Sequence, residues 1–265
     1  MNYNNISVVI PIYNVDPKIL LKSFESISNQ TFKNFEVLLV DDSTNALSSD
    51  FCSSYCESDK RFKHIKPDRK LGLPESLNLG VQLSKYDIIA RFDSDDICYT
   101  DRFEKQINFL RLNPDIDVLG GNIKVIDSNE RHLFYRAYPS THRRIKKYLN
   151  INCPIAHPTV MFKKKIFQLT GGYNSNYKSA EDLELWIRML SIGAKFHNLD
   201  YTLIKYRQDT MVRQRDHYRF FLKARLANFH LKYLPYNLIG IFLLIGSNIL
   251  PLLFLEKYYK YKYKV

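Results

Sequence analysis

Asp87-Ile88-Ile89-Ala90-Arg91-Phe92-Asp93-Ser94-Asp95-Asp96 is a short apolar run that stops at a knot of carboxylates. Its length and bounding polar residues predict a strand buried on both faces. Carboxylates crowded at its end repel one another unless a cation neutralises them. Two earlier runs have the same form. Ile6-Ser7-Val8-Val9-Ile10-Pro11-Ile12 leads into Tyr13-Asn14, and Phe35-Glu36-Val37-Leu38-Leu39-Val40 ends at Asp41-Asp42-Ser43. Helical patterns separate them. Asp16 caps and Pro17 opens the first, with Leu20, Leu21, Phe24 and Ile27 on one face. Ala46–Glu57 and Pro74–Ser84 read as helices, with a short strand at Phe62–Ile65 between them. Strands alternating with helices predict an α/β fold with right-handed βαβ units and a Rossmann-like, mostly parallel central sheet flanked by helices. Ligands bind such sheets at the carboxyl ends of the strands, so Tyr13-Asn14, Asp41-Asp42 and Asp93–Asp96 are expected to converge.

Beyond the acidic knot, Thr100 is expected to cap a helix running to about Leu112. A strand pair follows over Val118–Ile126 and His132–Tyr138. A helix from Ser179 buries Leu183, Trp186, Ile187 and Leu190. Two short strands, Lys195–Leu199 and Thr202–Tyr206, precede an amphipathic helix over Gln214–Tyr233. There is no internal repeat and no low-complexity linker.

At 265 residues, 45% hydrophobic and 25% charged, the composition is that of a globular chain. The net charge of +12 points to an anionic partner or to a solvated lysine surface. The four cysteines form no CxxC pair and no disulfide framework, which fits a reducing cytoplasm. The first residues lack the basic and apolar regions of a signal peptide. Leu234–Leu255 carries no charge and approaches the ~20 residues that span a bilayer. Asn237, Gly246-Ser247-Asn248 and Pro251 interrupt it, and the basic, aromatic run Lys257–Lys264 follows. A span would carry that basic run across the bilayer, against the positive-inside rule. A helix or broken hairpin dipping into one leaflet is therefore preferred, the alternative being an apolar helix that caps the core or a dimer interface.

Asp93-x-Asp95 suits Mg²⁺ or Mn²⁺, which take a few carboxylates together with substrate phosphates. The other reading is an acidic turn capping the next helix. No Gly-rich turn follows the first strand, which disfavours dinucleotide oxidoreductases and P-loop enzymes. Glu181-Asp182 opens the Trp186 helix after Gly171-Gly172. A carboxylate there can serve as a general base, but Ser179-Ala180-Glu181-Asp182 reads equally as a capping box. His157, between Pro154 and Pro158, is either an acceptor or phosphate contact or a structural histidine. Arg207, Arg213 and Arg215 suit phosphate, or form a solvated loop. The clusters Arg143–Lys147 and Lys163–Lys165 read as solvated or membrane-facing patches.

From about Ser7 to Arg207 these residues resemble the family-two glycosyltransferases of the GT-A fold, of the bacterial surface-polysaccharide or O-antigen type. The resemblance is carried by Val8–Asn14, Gln30-Thr31-Phe32, Phe35–Ser43, Gly72-Leu73 with Leu77-Asn78, Ile89–Asp96, Gly171-Gly172-Tyr173 and Glu181-Asp182-x-x-Leu185-Trp186. It implies an enzyme with the GT-A nucleotide-diphospho-sugar transferase fold. Pro11, Tyr13 and Asp42 would border the base and ribose of the donor. Asp93 and Asp95 would match the family's Asp-x-Asp, with Asp95 the direct ligand of Mn²⁺ or Mg²⁺. Asp182 would match the catalytic base and invert configuration. His157, Glu181, Trp186 and Arg207 would contact the acceptor or the diphosphate. One departure is Asp42-Ser43, where members often place Gly before Ser.

The resemblance and the tail together predict a catalytic domain at 1–210, with a nucleotide-binding half at 1–96 and an acceptor-side half at 97–210, and a helical, membrane-associating tail at 211–265. The expected partners are a UDP-glucose or UDP-galactose donor, a lipid-diphosphate-linked saccharide and the cytoplasmic face of the inner membrane. No nucleic acid is expected, because the basic residues are dispersed and no recognition motif is present. The alternatives are an inactive membrane scaffold of the same fold and a basic nucleic-acid-binding protein.

Overall fold

The computed structural model describes residues 3–208, 215–228, 233–251, 254–257 and 261. The chain begins with β1 (Ile6–Ile12), α1 (Pro17–Ser28), β2 (Phe35–Asp41), α2 (Ala46–Ser58), β3 (Phe62–Ile65), α3 (Leu73–Leu83) and β4 (Ile88–Arg91). These alternating elements build the parallel part of the sheet, in which β1 pairs with both β2 and β4, and β2 pairs with β3. Asp16 caps α1 through Lys18 N at 2.7 Å, with Pro17 in the first turn. Leu20, Phe24 and Ile27 are buried as expected, whereas Leu21 faces solvent.

The remainder comprises β5 (Ile97–Cys98), α4 (Arg102–Leu112), β6 (Val118–Ile126), β7 (His132–Arg136), α5 (His142–Tyr148), β8 (Met161–Lys163), α6 (Lys164–Leu169), α7 (Glu181–Ser191), β9 (Phe196–Arg207), α8 (Arg215–Ala227) and α9 (Leu234–Ile249). Strand order is β3-β2-β1-β4-β8-β6-β9-β5, with β7 on β6. The expectation of a mostly parallel sheet is corrected here. β8 returns antiparallel to β4, β6 is antiparallel to β8 and β7, and β5 is antiparallel to β9, so the sheet is mixed. The βαβ rule stops applying after β4, because the chain no longer crosses over through one helix between neighbouring strands.

Two local expectations also change. Asp101, not Thr100, precedes α4, and it makes no side-chain capping bond. The two short strands after Lys195 are one strand, β9, which runs parallel to β6. Its pairing jumps from Gly121↔Leu199 to Asn122↔Thr202, so Asp200 and Tyr201 bulge out.

Alternation along the central strands feeds two cores. Val8, Ile10 and Ile12 face one with Phe24, Phe103 and Ile107, while Val9 faces the other with Leu77, Val81, Leu183 and Trp186. α3 lies close on β1, since a Cβ at Gly80 would stand 2.4 Å from Val9 Cγ1. The same alternation sets the site. On β4, Ile88, Ala90 and Phe92 enter the first core and Ile89 the second, so Arg91 emerges on the α7 side.

At the C-terminal end, α8 packs Tyr218, Phe221 and Ala224 against the second core. α9 buries Asn237, Gly240 and Leu244 and exposes Leu238, Ile239, Phe242 and Leu243. Among the described residues no helix is long and apolar enough to cross a membrane. Arg213 and most of the basic run Lys257–Lys264 lie outside the described residues.

Candidate active site

The three polar strand ends do converge, but they play different parts. At the end of β1, Asn14 takes a positive φ of 51°. Its Oδ1 accepts from the amides of Thr44 and Asn45 at 2.9 and 3.2 Å, which ties the first strand end to the second. Ser43 and Thr44 have no positive φ, so the Gly often found before Ser is not required in this turn. Asp42 Oδ1 and Oδ2 accept from Leu71 N and Gly72 N at 2.7 and 2.8 Å, anchoring the loop before α3. Asp41 is fully buried. Burial opposes its charge, but hydrogen bonds from His64, Ser43 and Ser49 hold its carboxyl well below the usual range. Tyr13 is 50% exposed, and Lys70 Nζ lies over its ring at 4.6 Å and donates to its Oη at 3.0 Å. Pro11 lies just before it on β1, half-buried.

The acidic knot sits at the end of β4. Arg91 holds both oxygens of Asp93, with Nη1 to Oδ2 at 2.6 Å and Nη2 to Oδ1 at 2.5 Å. This bidentate pair was not anticipated, although an Arg two residues before an Asp at a strand end was its signal. Burial and the Asp93 charge push the Asp95 carboxyl up to about 6. Burial, with Asp93 and Asp95 alongside, pushes Asp96 well above its ordinary value. Asp96 Oδ1 accepts from Arg207 N at 2.8 Å, while its buried Oδ2 meets no hydrogen-bond partner. Carboxylate oxygens of all three lie within 4.8 Å of one another. Hard oxygen donors, a surplus of negative charge and an orphaned carboxylate oxygen fit a hard divalent cation. Because Arg91 occupies Asp93, Asp95 is the carboxylate best placed to reach it.

Glu181-Asp182 approaches from α7. The capping-box reading fails, because Ala180 occupies the cap position and makes no side-chain bond. Asp182 Oδ1 accepts from Leu183 N at 2.6 Å, and its Oδ2 accepts from Cys153 Sγ at 3.5 Å. The α7 N-terminus is steered by the Gly171-Gly172 turn. Both glycines have φ of 76°, and a Cβ at Gly172 would stand 2.6 Å from Asn78 Oδ1. Asn78 and Tyr173 exchange two hydrogen bonds at 2.8 Å, and Arg188 Nη2 donates to Gly172 O at 2.6 Å. The Leu77-Asn78 and Gly-Gly-Tyr motifs are therefore two halves of one brace. Gln30 is another, receiving the Phe103 amide at 3.1 Å and donating to Tyr99 O at 2.7 Å.

Tyr173 links the two acidic groups. Its hydroxyl lies near enough to Arg91, Glu181, Asp182 and Asp93 to feel all four charges, and burial pushes its own titration far up. His157 Nε2 pairs with Tyr173 Oη at 2.8 Å, and its Nδ1 is 3.9 Å from Glu181 Oε1. Burial, then the Arg91 charge, keeps His157 neutral by holding it well below its usual range. His157 thus orients Tyr173 from a buried position.

Trp186 is 0% exposed beneath His157, so the expected acceptor contact is corrected to a floor under the site. Arg207 is likewise corrected from a free phosphate ligand to a clamp. Its Nε donates to Asp95 O at 3.0 Å and its Nη1 to Ser128 O at 2.9 Å, fixing the acidic loop. The burial of Trp186 follows the helical pattern read from the sequence, whereas the Arg207 clamp depends on distant segments and could not be read locally.

Burial, then the neighbouring Asp182, pushes Glu181 up to about 8 from an ordinary 4.5. The folded protein holds this proton more tightly than the unfolded chain does. The associated stability is complete below about 4.5 and is lost as pH rises through about 8. Glu181→Gln should therefore flatten the fall in unfolding free energy across that window in denaturant titrations. A slope identical to that of the parent would mean Glu181 is ionised throughout.

Comparison with known proteins identifies the family and the fold. The model of glycosyl transferase family 2 matches residues 7–169. The O-antigen biosynthesis glycosyltransferase WbnJ of Escherichia coli is 34% identical over 206 residues, covering 76% of this chain and 79% of that protein. An Escherichia coli UDP-Gal:alpha-D-GlcNAc-diphosphoundecaprenol beta-1,3-galactosyltransferase is 29% identical over 264 residues, covering 96% and 94%. Among solved structures, the mannosyltransferase PcManGT of Pyrobaculum calidifontis, in complex with GDP-Man and Mn²⁺, superimposes with a TM-score of 0.68. That match is 13% identical and covers 91% of this chain and 70% of that one, so it shows a shared fold.

Proposed function

Because the chain belongs to glycosyl transferase family 2, we propose that it moves a hexose from UDP-glucose or UDP-galactose to a lipid-diphosphate-linked saccharide, with inversion, in surface-polysaccharide or O-antigen assembly. The observation that supports this reading is the buried pair His157–Tyr173, with Glu181 3.9 Å from His157 and the charges of Asp182 and of the Arg91–Asp93 pair felt at Tyr173. Asp182 is then the base and the Asp93-x-Asp95 loop the cation-binding element. The donor and acceptor classes rest on the relatives whose names carry UDP-Gal, a diphosphoundecaprenol acceptor and O-antigen synthesis.

In this reading Asp95, with Asp93 beside it, would hold Mn²⁺ or Mg²⁺, which when bound would offset charge on the diphosphate leaving group. Arg91 keeps Asp93 in place, and Arg207 keeps the loop from opening. The exposed ring of Tyr13, with Pro11, borders the base, and Asp42 shapes the adjoining loop. Asp182 takes the proton of the acceptor hydroxyl as that oxygen attacks the anomeric carbon. Glu181, protonated up to a pH of about 8, adds no charge beside that base. His157 and Tyr173 shape the wall between donor and acceptor.

The test is sugar transfer by the purified chain, with a panel of UDP- and GDP-sugars, Mn²⁺, and alkyl-diphosphate-linked amino sugars as acceptors. Transfer from a single donor names the sugar. Failure of every donor to bind in a metal-dependent way would sink the enzymatic reading and leave the scaffold. The proposed location is the cytoplasmic face of the inner membrane, through α9 and the basic run after it. Removing residues 234–265 should shift the protein from the membrane fraction to the soluble fraction, and an unchanged distribution would count against that location.

A further inference from the structure

A second polar feature lies outside the catalytic cluster. Arg225 on α8 is 1% exposed, and no carboxylate pairs with it among the described residues. Its Nη1 donates to Leu149 O at 3.0 Å, while its Nε and Nη2 meet no acceptor. Burial lowers it to about 10, so it remains a cation near neutral pH. A buried guanidinium with unmatched donors is costly, and it calls for an anion that the described residues do not supply.

Arg225 lines a cavity of about 230 Å³ between α5, α7, α8 and the start of α9. Lys146, Asn150, Ser191 and Asn228 add polar groups to its wall. The cavity is close to the catalytic cluster. Arg225 and Cys153 are near enough to influence each other's titration, and Cys153 Sγ is 3.5 Å from Asp182. Along α7, which rises ~1.5 Å per residue, the wall residues Ile187 and Ser191 lie roughly 8 and 14 Å from Asp182. An acceptor whose hydroxyl is at Asp182 would place its diphosphate about one to two turns along α7, beside the cavity wall. α9 lines the cavity through Asn237 and turns Leu238, Ile239 and Phe242 to solvent on its outer face, so the wall of a cationic pocket is backed by an exposed apolar face.

We propose that this cavity is the binding site for the diphosphate of the lipid-linked acceptor. Arg225 and Lys146 receive the anion, and the exposed face of α9 lies along the hydrocarbon. Guanidinium donors match phosphate oxygens in pairs, and the neighbouring apolar face favours a phosphate carried on a lipid over a free one. The inference deepens the proposed function and rests on its lipid-linked acceptor.

Binding tests it independently of catalysis. The full chain is titrated calorimetrically with an alkyl diphosphate in neutral detergent micelles, with the matching alkyl alcohol, and with inorganic pyrophosphate. Vesicles containing phosphatidylglycerol form a fourth arm. The alkyl diphosphate should bind, and the alcohol and pyrophosphate should bind at least about tenfold more weakly. Arg225→Met should weaken the alkyl diphosphate by about tenfold or more, Arg225→Lys should restore part of that loss, and UDP-sugar binding should not change. Should Arg225→Met not fold, Lys146→Gln at the rim gives the same reading with a smaller loss. Undiminished binding in both Arg225→Met and Lys146→Gln overturns the site. Equal binding of pyrophosphate overturns the lipid source, and equal, substitution-sensitive binding of phosphatidylglycerol reassigns the pocket to a phospholipid headgroup. Intact alkyl-diphosphate binding without any sugar transfer counts against the proposed reaction and not against the pocket.

Discussion

Asp182→Asn should lower kcat for sugar transfer by about 10²–10⁴-fold while leaving the donor KM nearly unchanged. The amide keeps the volume of the carboxyl and one oxygen for Leu183 N, so the start of α7 should hold its place. What is removed is the capacity to take a proton from the acceptor hydroxyl, which matters only in the transition state. Single-turnover assays with saturating donor separate this from binding. The neighbouring Glu181 offers the decisive control. Burial and Asp182 keep it protonated up to a pH of about 8, so Glu181→Gln should retain most of the activity near neutral pH. Full activity in Asp182→Asn combined with its loss in Glu181→Gln would transfer the base to Glu181.

Asp95→Ala should abolish measurable transfer, a loss of about 10³-fold or more, and should remove the Mn²⁺ dependence of donor binding. Asp95 carries this weight because its neighbours are engaged. Arg91 grips both oxygens of Asp93, and Asp96 takes the Arg207 amide through Oδ1. The substitution also relieves repulsion between buried carboxylates, so thermal stability without metal should not fall and should rise modestly. Calorimetric titration of Mn²⁺ and UDP into both proteins checks the first point, and thermal melts without metal check the second. Metal-dependent donor binding that survives in Asp95→Ala would assign the cation elsewhere.

Several features were visible before any coordinates because their causes are local. The apolar runs of β1, β2 and β4 bury alternate residues in opposite cores, and period two is a property of each strand alone. Asp16 and Pro17 start α1 by satisfying and omitting amides within one turn. The capping box at Ser179 failed for the opposite reason. Its spacing was right, but the Gly171-Gly172 turn, Asn78 and Arg188 set where α7 begins, and Asp182 turns towards Cys153 instead. The family resemblance implied that Trp186 and His157 contact the acceptor or the diphosphate, while the residues themselves read equally as a buried helix face and a structural histidine. Burial on α7 and pairing with Tyr173 turned them into the floor and wall of the site.

The sequence by itself determined the alternating α/β half and the carboxylate knot at the end of β4, and the family resemblance singled out Glu181-Asp182 as the second acidic group. These follow from hydrophobic period, strand-end chemistry and ordered motifs, all written over short spans. Only the tertiary structure decided that the sheet is mixed, that Arg207 clamps the acidic loop and that Arg225 is buried beside a cavity with no counter-charge among the described residues. Arg207 N meets Asp96 across 111 residues, and Arg225 meets Leu149 across 76. Whether an arginine is a free ligand, a clamp or a buried cation depends on which groups the fold brings to it, and no local pattern encodes that.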